Sequence, residues 1–263
     1  MRNGKLFVFA LFISILGACD TTSSVSSKTS LPHPRPARFW ENGQASAQVL
    51  HVFDRQETDP VTGEVKTGMV TLGGSSAVVS VDGLILTNSH VVDATAFEPE
   101  GAKHNIDAVL VCKTERGERQ CEKATIVAID KDHDLALLKT KLQFDEAVTF
   151  GPDNELKPGD EIYSWGIVTP AFLSPLFGHY TNRLSDDISV WMNGKERVVK
   201  APFLLMDLRV GHGSSGGPMF DSLGRCIGIT SMMYFNPEGG PTFGIIIPSA
   251  TITEFLKKNW PKE

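Results

Sequence analysis

Between residues 45 and 250 the apolar runs are short and β-branched, with turn residues between them, and lack the three-to-four spacing of an amphipathic helix. Ala77–Val81 and Leu84–Leu86 flank Asp82-Gly83, a dipeptide suited to a tight hairpin turn. Asn193-Gly194 sits in the same way between Ile188–Met192 and Val198–Val199. Further β-branched runs at Ala108–Thr114, Ala124–Asp130, Leu135–Thr140, Glu161–Val168, Cys226–Tyr234 and Phe243–Ser249 are predicted strands. Helical period appears only at the end, in Ser249–Trp260, where Ile252, Phe255 and Leu256 share a face. Many closely spaced strands with one terminal helix argue for an all-β chain of barrels or a sandwich, and against a βαβ architecture.

The amino terminus departs from this pattern. Arg2 and Lys5 precede the apolar run Leu6–Gly17, too short to span a bilayer comfortably, and the combination reads as a secretory signal. The tetrad Leu16-Gly17-Ala18-Cys19 resembles a bacterial lipobox. That resemblance implies removal of residues 1–18 and a lipid on Cys19 that holds the protein to a membrane. The other reading is an ordinary cleaved signal followed by an incidental cysteine. Asp20 resembles an inner-membrane retention mark, so the expected location is the bacterial cell envelope, on the periplasmic face of the inner membrane. Residues 19–44 are rich in Ser, Thr and Pro and are expected to be a tether with a reach of about 30 Å.

Composition narrows the partners. With 263 residues, 41% of them hydrophobic, the chain can build one large or two small cores. A net charge of -6 and the absence of a basic run argue against nucleic acid as a partner. Export permits disulfides. If Arg116-Gly117 forms a two-residue turn, Cys112 falls opposite Cys121, so these two form a hairpin disulfide or remain thiols. Cys226, in an apolar run, reads as a small buried hydrophobe. No His/Cys cluster has metal-ligand spacing, and neither metal nor other cofactor is expected.

Candidate chemistry centres on VGHGSSGGPMF, Val210–Phe220. Gly213-Ser214-Ser215-Gly216-Gly217 fits G-x-S-x-G, the α/β-hydrolase nucleophile elbow, but that fold needs a later histidine and the last one here is His212. The order His…Asp…Ser belongs instead to double-barrel proteases. LTNSHVVDA supplies His90 after the Asp-Gly hairpin, and AIDKDHDLALLK supplies Asp134 directly before an apolar run. Together these segments resemble the bacterial HtrA-type branch of the trypsin-like, chymotrypsin-fold serine proteases, with its T-N-x-H-V-V, D-x-x-x-D-[LI]-A and G-N-S-G-G motifs. The likeness runs from about Gly73 to Pro248. Since only about fifteen residues follow, a member without a PDZ domain is expected.

The resemblance implies two six-stranded antiparallel β-barrels, at residues 45–155 and 156–263, the second followed by a short C-terminal helix. It implies a serine endopeptidase acting on exported polypeptides, with Ser215 as nucleophile, His90 as general base and Asp134 as the group that orients the imidazole. Gly213, Ser214 and Ser215 form the oxyanion loop, with the amides of Gly213 and Ser215 aimed at the developing negative oxygen. Asp130 and Asp132 compete with Asp134, and Ser214 with Ser215, but none of these three matches the motifs. His33, His51, His104, His133 and His179 have no assignment. Arg209, His212, Ser231, Met232 and Met233 are the expected substrate-pocket residues; Arg209 favours acidic side chains, the methionines apolar ones.

Three departures from the family pattern stand out: Ser214 replaces Asn, His212 replaces Pro, and Ser164–Tyr180 reads as a longer apolar loop. They keep alive a catalytically weak or inactive protease-fold binding module at the membrane, and, third, an esterase on the same fold.

Overall fold

The computed structural model describes residues 36–58, 62–93, 107–115, 118–169, 172–192, 195–208, 210–234 and 243–262. The signal segment, Cys19, Asp20, most of the expected tether, His33, His104, Arg209, and the Arg116-Gly117 and Asn193-Gly194 turns lie outside them.

Two closed six-stranded antiparallel barrels form, the architecture expected. In chain order the elements are α1 (Phe39–Gln44), β1 (Ser46–Thr58), β2 (Val65–Ser80), β3 (Leu84–Thr87), α2 (Ser89–Val92), β4 (Asp107–Glu115), β5 (Glu118–Asp130) and β6 (Leu135–Thr140). After these come β7 (Glu161–Thr169), β8 (Phe172–Leu184), β9 (Ile188–Met192), β10 (Lys195–Val199), β11 (Phe203–Asp207), β12 (Pro218–Asp221), β13 (Cys226–Tyr234), β14 (Phe243–Pro248) and α3 (Ser249–Asn259). The first barrel runs β1-β2-β3-β6-β5-β4, the second β11-β14-β13-β12-β7-β8, and β9–β10 is a separate hairpin outside both.

Strand β6 explains how the barrels meet. Ala136 and Leu138 point into the first barrel with Val49, Val78, Ile85 and Val111. Leu135 and Leu137, one residue out of phase, join the interface core with Trp165, Phe220, Ile229 and Phe255. Both faces of the strand are covered, so its sequence is a continuous apolar run instead of an alternation. Helix α3 closes the interface from one end. Buried Asp153 caps it, accepting from the Ala250 amide at 2.9 Å and the Ser249 hydroxyl at 2.8 Å.

In the β4–β5 hairpin, Glu115 faces Glu118 and Cys112 faces Cys121. The two sulfurs are bonded at 2.11 Å. Cys226 is buried, and desolvation pushes its thiol up to about 12, so it is inert.

Two expectations need correction. The end of the expected tether is folded: α1 lays Phe39 against Tyr163, Trp165 and Phe177, and buries Asn42. A short aromatic segment in a polar stretch cannot form a core alone, but it can complete one supplied by the second barrel. The Ser164–Tyr180 stretch is no loop. It builds β7 and β8, with Trp165 opposite Pro175 and Ile162 opposite Gly178.

Candidate active site

His90 lies just past β3, on the single helical turn α2 that opens after Asn88. Asp134 ends the β5–β6 turn with φ 56°, a left-handed conformation that Asp tolerates better than most residues. The two are clasped together. His90 Nδ1 lies 2.8 Å from Asp134 Oδ2 and 3.1 Å from Oδ1, and the His90 amide donates to Oδ1 at 3.1 Å. The Ser89 amide and the Asn88 side-chain amide donate to the Asp134 carbonyl at 3.2 and 3.0 Å. These bonds tie α2 to the turn before β6.

The carboxylate is 1% exposed. Burial by itself pushes its pKa up. The charge and hydrogen bond of His90, with the Arg197 guanidinium and the Ser231 hydroxyl, outweigh that and hold Asp134 at about 2. It is therefore ionised at neutral pH.

The second barrel supplies the serine. Gly213 has φ 94° and Gly216 φ 87° on either side of it. A Cβ at Gly216 would stand 2.1 Å from the Ser75 carbonyl oxygen and 2.4 Å from the Thr87 hydroxyl, so only glycine fits where this loop meets the first barrel. The Ser75 amide donates to the Ser215 carbonyl at 2.7 Å, and the Ser75 hydroxyl to the Gly213 carbonyl at 2.7 Å. Among the described residues, the amides of Gly213 and Ser215 have no hydrogen-bond partner. Both residues are half-buried, so the two amides lie in one bend that glycine geometry makes possible.

Ser231 joins the parts. Its carbonyl accepts the Ser215 hydroxyl at 3.2 Å, and its own hydroxyl donates to Asp134 Oδ2 at 2.7 Å. Ser231, expected as pocket wall, turns its hydroxyl to the carboxylate. A position for Ser214 in the oxyanion site is also corrected. Its amide donates to the Gly211 carbonyl at 3.1 Å and its hydroxyl to the same oxygen at 2.6 Å, so it closes a turn and faces inward.

The competing aspartates make other contacts. Asp130 Oδ2 lies 2.8 Å from His133 Nδ1, and the Asp132 carbonyl accepts the Lys200 amide at 2.7 Å. His51 pairs with Asp107 at 2.6 Å, in the first barrel. Among the pocket candidates, Met232 packs with Ile188, Val190 and Ile245, and Met233 with Leu208 and Val210. His212 is exposed at the loop tip.

Two further residues at the carboxylate carried no signal in the sequence. The Ser89 hydroxyl donates to Asp134 Oδ1 at 2.9 Å, and Arg197 Nη2, from β10, donates to that hydroxyl at 2.7 Å. Among the described residues no cluster of three or more His, Cys, Asp or Glu is placed to hold a metal ion.

Residues 74–229 match the family model of the trypsin-like peptidase domain. The chain is 33% identical over 175 residues to a probable periplasmic serine endoprotease, DegP-like, of Halomonas elongata, covering 66% of this chain and 32% of that protein. A DegP-like protein of a Marinomonas species is 31% identical over 176 residues, 67% of this chain and 33% of the other. The chain thus spans about a third of the length of the curated relatives it matches. Among solved structures, the HtrA-type protease AlgW with a decapeptide superposes with a TM-score of 0.60 at 23% identity, covering 82% of this chain and 64% of that one. Deg5 superposes with a TM-score of 0.57 at 23% identity, covering 82% and 88%. At such identities the likeness of the solved structures speaks to the chymotrypsin-like fold.

Proposed function

Because this chain belongs to the trypsin-like peptidase domain family, we propose that it is a serine endopeptidase that cleaves exported polypeptides through Ser215, His90 and Asp134. The observation that carries this reading is the network in which Asp134 grips His90 Nδ1 while Ser231 touches both the carboxylate and the Ser215 hydroxyl.

With Nδ1–H held by Asp134, His90 is fixed in the tautomer whose Nε2 accepts a proton. On substrate binding the Ser215 hydroxyl leaves the Ser231 carbonyl and turns to that nitrogen. Its oxygen attacks the scissile carbonyl carbon as Nε2 takes its proton, and the imidazolium is stabilised by Asp134. The carbonyl oxygen becomes an oxyanion, met by the amides of Gly213 and Ser215. His90 then passes its proton to the leaving nitrogen as the C–N bond breaks, leaving an acyl group on Ser215. Water, deprotonated by the same Nε2, releases the acid and restores the serine.

The relatives named as periplasmic endoproteases, and the neighbour solved with a decapeptide, support a polypeptide substrate in the envelope. Acylation at Cys19 would hold the enzyme there. The deciding experiment compares the parent with Ser215→Ala on an unfolded protein substrate, with serine-directed fluorophosphonate labelling beside it. Loss of cleavage on the order of 10⁶-fold and labelling at Ser215 are expected. Cleavage that persists in the variant sinks the reading, and a parent that neither cleaves nor labels favours the binding module.

A further inference from the structure

The hairpin β9–β10 belongs to neither barrel, yet it reaches both sides of the site. One flank packs Ile188, Val190 and Val199 against Met232 and Tyr234, on β13, the strand that carries Ser231. The other carries Arg197 to the back of the triad, where Nη2 donates to the Lys131 carbonyl at 2.7 Å and to the Ser89 hydroxyl at 2.7 Å. The same nitrogen stands 3.5 Å from Asp134 Oδ1, and the arginine side chain is 20% exposed.

A hydroxyl has one proton to give, while a guanidinium can only donate. With Arg197 filling an acceptor position on Ser89 Oγ, the Ser89 proton is left to point at Asp134, as its 2.9 Å contact requires. The neighbouring charges are paired among themselves: Lys131 with Asp93 at 2.5 Å, His133 with Asp130 at 2.8 Å, and Lys200 with Asp187 at 2.7 Å. Asp132 lies beside Lys200. Among the described residues, Arg197 is thus the cation that faces the carboxylate from behind while His90 faces it from the front.

We propose that Arg197 is a positioning residue of this site: it turns the Ser89 proton onto Asp134 and sets a positive charge behind the carboxylate that opposes the imidazolium in front. The proposal rests on the endopeptidase reading. It means that a side chain on an appended hairpin, linked by packing to the strand that carries Ser231, sets how readily His90 takes the Ser215 proton.

The test uses Arg197→Met, Arg197→Gln as a second neutral variant in case the first folds poorly, and Arg197→Lys, which restores charge and donor. Removing the cation favours the protonated imidazole. The acid limb of the kcat/KM profile should therefore move to higher pH in the neutral variants. Plateau kcat/KM should fall about 3- to 10-fold as Ser89 loses its orientation, at unchanged KM. Lysine should return the limb to its parent position. The same comparison in a Ser215→Ala background, following against pH the low-field NMR signal of the proton between His90 Nδ1 and Asp134, needs no catalysis. An upward move there in the neutral variants supports the proposal even if the parent hydrolyses nothing, an outcome that would overturn only the endopeptidase reading. Unmoved pH dependence in the NMR series, or lysine and methionine variants displaced alike, overturns the proposal and leaves Arg197 a structural clamp.

Discussion

The Ser75 hydroxyl, on the first barrel, donates to the Gly213 carbonyl of the second at 2.7 Å. Ser75 is fully buried, and its backbone carbonyl in turn accepts from Thr87 Oγ1 at 2.8 Å. The peptide that follows Gly213 is therefore oriented by a residue on the other side of the cleft, and with it the bend that carries the two unpaired amides. The shape of the Gly213–Gly216 loop thus depends on contacts from the other barrel.

Ser75→Ala should loosen that bend without emptying the cleft. Losing a donor at an oxyanion site costs about 100- to 1000-fold in kcat, and a residue that acts one bond away should cost less, about 10-fold. Steady-state kinetics should show the loss in kcat with KM nearly unchanged. Urea unfolding should show about 1 kcal/mol lost from the missing bond. A variant with parental kcat would mean that the loop holds its shape unaided.

Gly216→Ala should be far more severe than Gly159→Ala, although both positions have positive φ, 87° and 96°. At Gly159 a Cβ meets nothing within 4 Å, so only backbone strain remains, about 1 kcal/mol. At Gly216 it would overlap the Ser75 carbonyl oxygen at 2.1 Å, and that atom cannot yield without parting the barrels. Several kcal/mol are expected to be lost, read as a much lower thermal midpoint or as insoluble protein, with Gly159→Ala close to the parent.

Much of this site was legible in the sequence because its parts are local motifs. Asp82-Gly83 announces the hairpin before His90, and Asp134 directly precedes an apolar strand. What was not legible is long-range. Ser75 meets Gly213 across 138 residues and Arg197 meets Ser89 across 108, and no local pattern records which of many serines and arginines will do so. The β7–β8 hairpin is hidden in the sequence for a related reason. Pro175 and Gly178 look like loop punctuation, yet a Cβ at Gly178 would stand 2.0 Å from the Asp207 carbonyl oxygen. That glycine allows close approach to the neighbouring strand β11 and does not mark a turn.

Ser231→Ala should change acid stability in a definite window. Asp134 is held at about 2 in the fold against an ordinary value of 3.8, so its stabilising contribution is complete above about pH 4 and fades as pH falls toward 2. Removing the Ser231 hydroxyl raises the folded value. The variant should then be less stable at neutral pH by about 1 kcal/mol, and should converge with the parent at the acid end. Urea midpoints measured from pH 7 down to 2 check this. A constant gap at every pH would show that the hydroxyl contributes through packing and not through the ionised carboxylate.

Helix α1 ties the start of the first barrel to the face of the second, and its loss should be felt in both. Asn42 is 1% exposed; its side-chain amide donates to the Tyr163 hydroxyl at 2.7 Å and the Gly224 carbonyl at 2.9 Å. The Tyr163 hydroxyl passes its own proton to the Ala37 carbonyl at 3.1 Å, and Trp165 Nε1 donates to the Phe39 carbonyl at 2.9 Å. Asn42→Ala leaves two buried acceptors short of a donor and should cost about 2–3 kcal/mol. Phe39→Ala empties an aromatic site against Tyr163 and Trp165 and should cost about 3–5 kcal/mol. Since Trp165 sits in the interface core with Leu135 and Leu137, strands flanking the Asp134 turn are destabilised along with the clip. Tryptophan fluorescence and fluorophosphonate labelling, followed through the same thermal ramp, should therefore fail together, and earlier than in the parent. Labelling that outlasts the fluorescence transition in Phe39→Ala would mean that the segment is a dispensable strap on the second barrel.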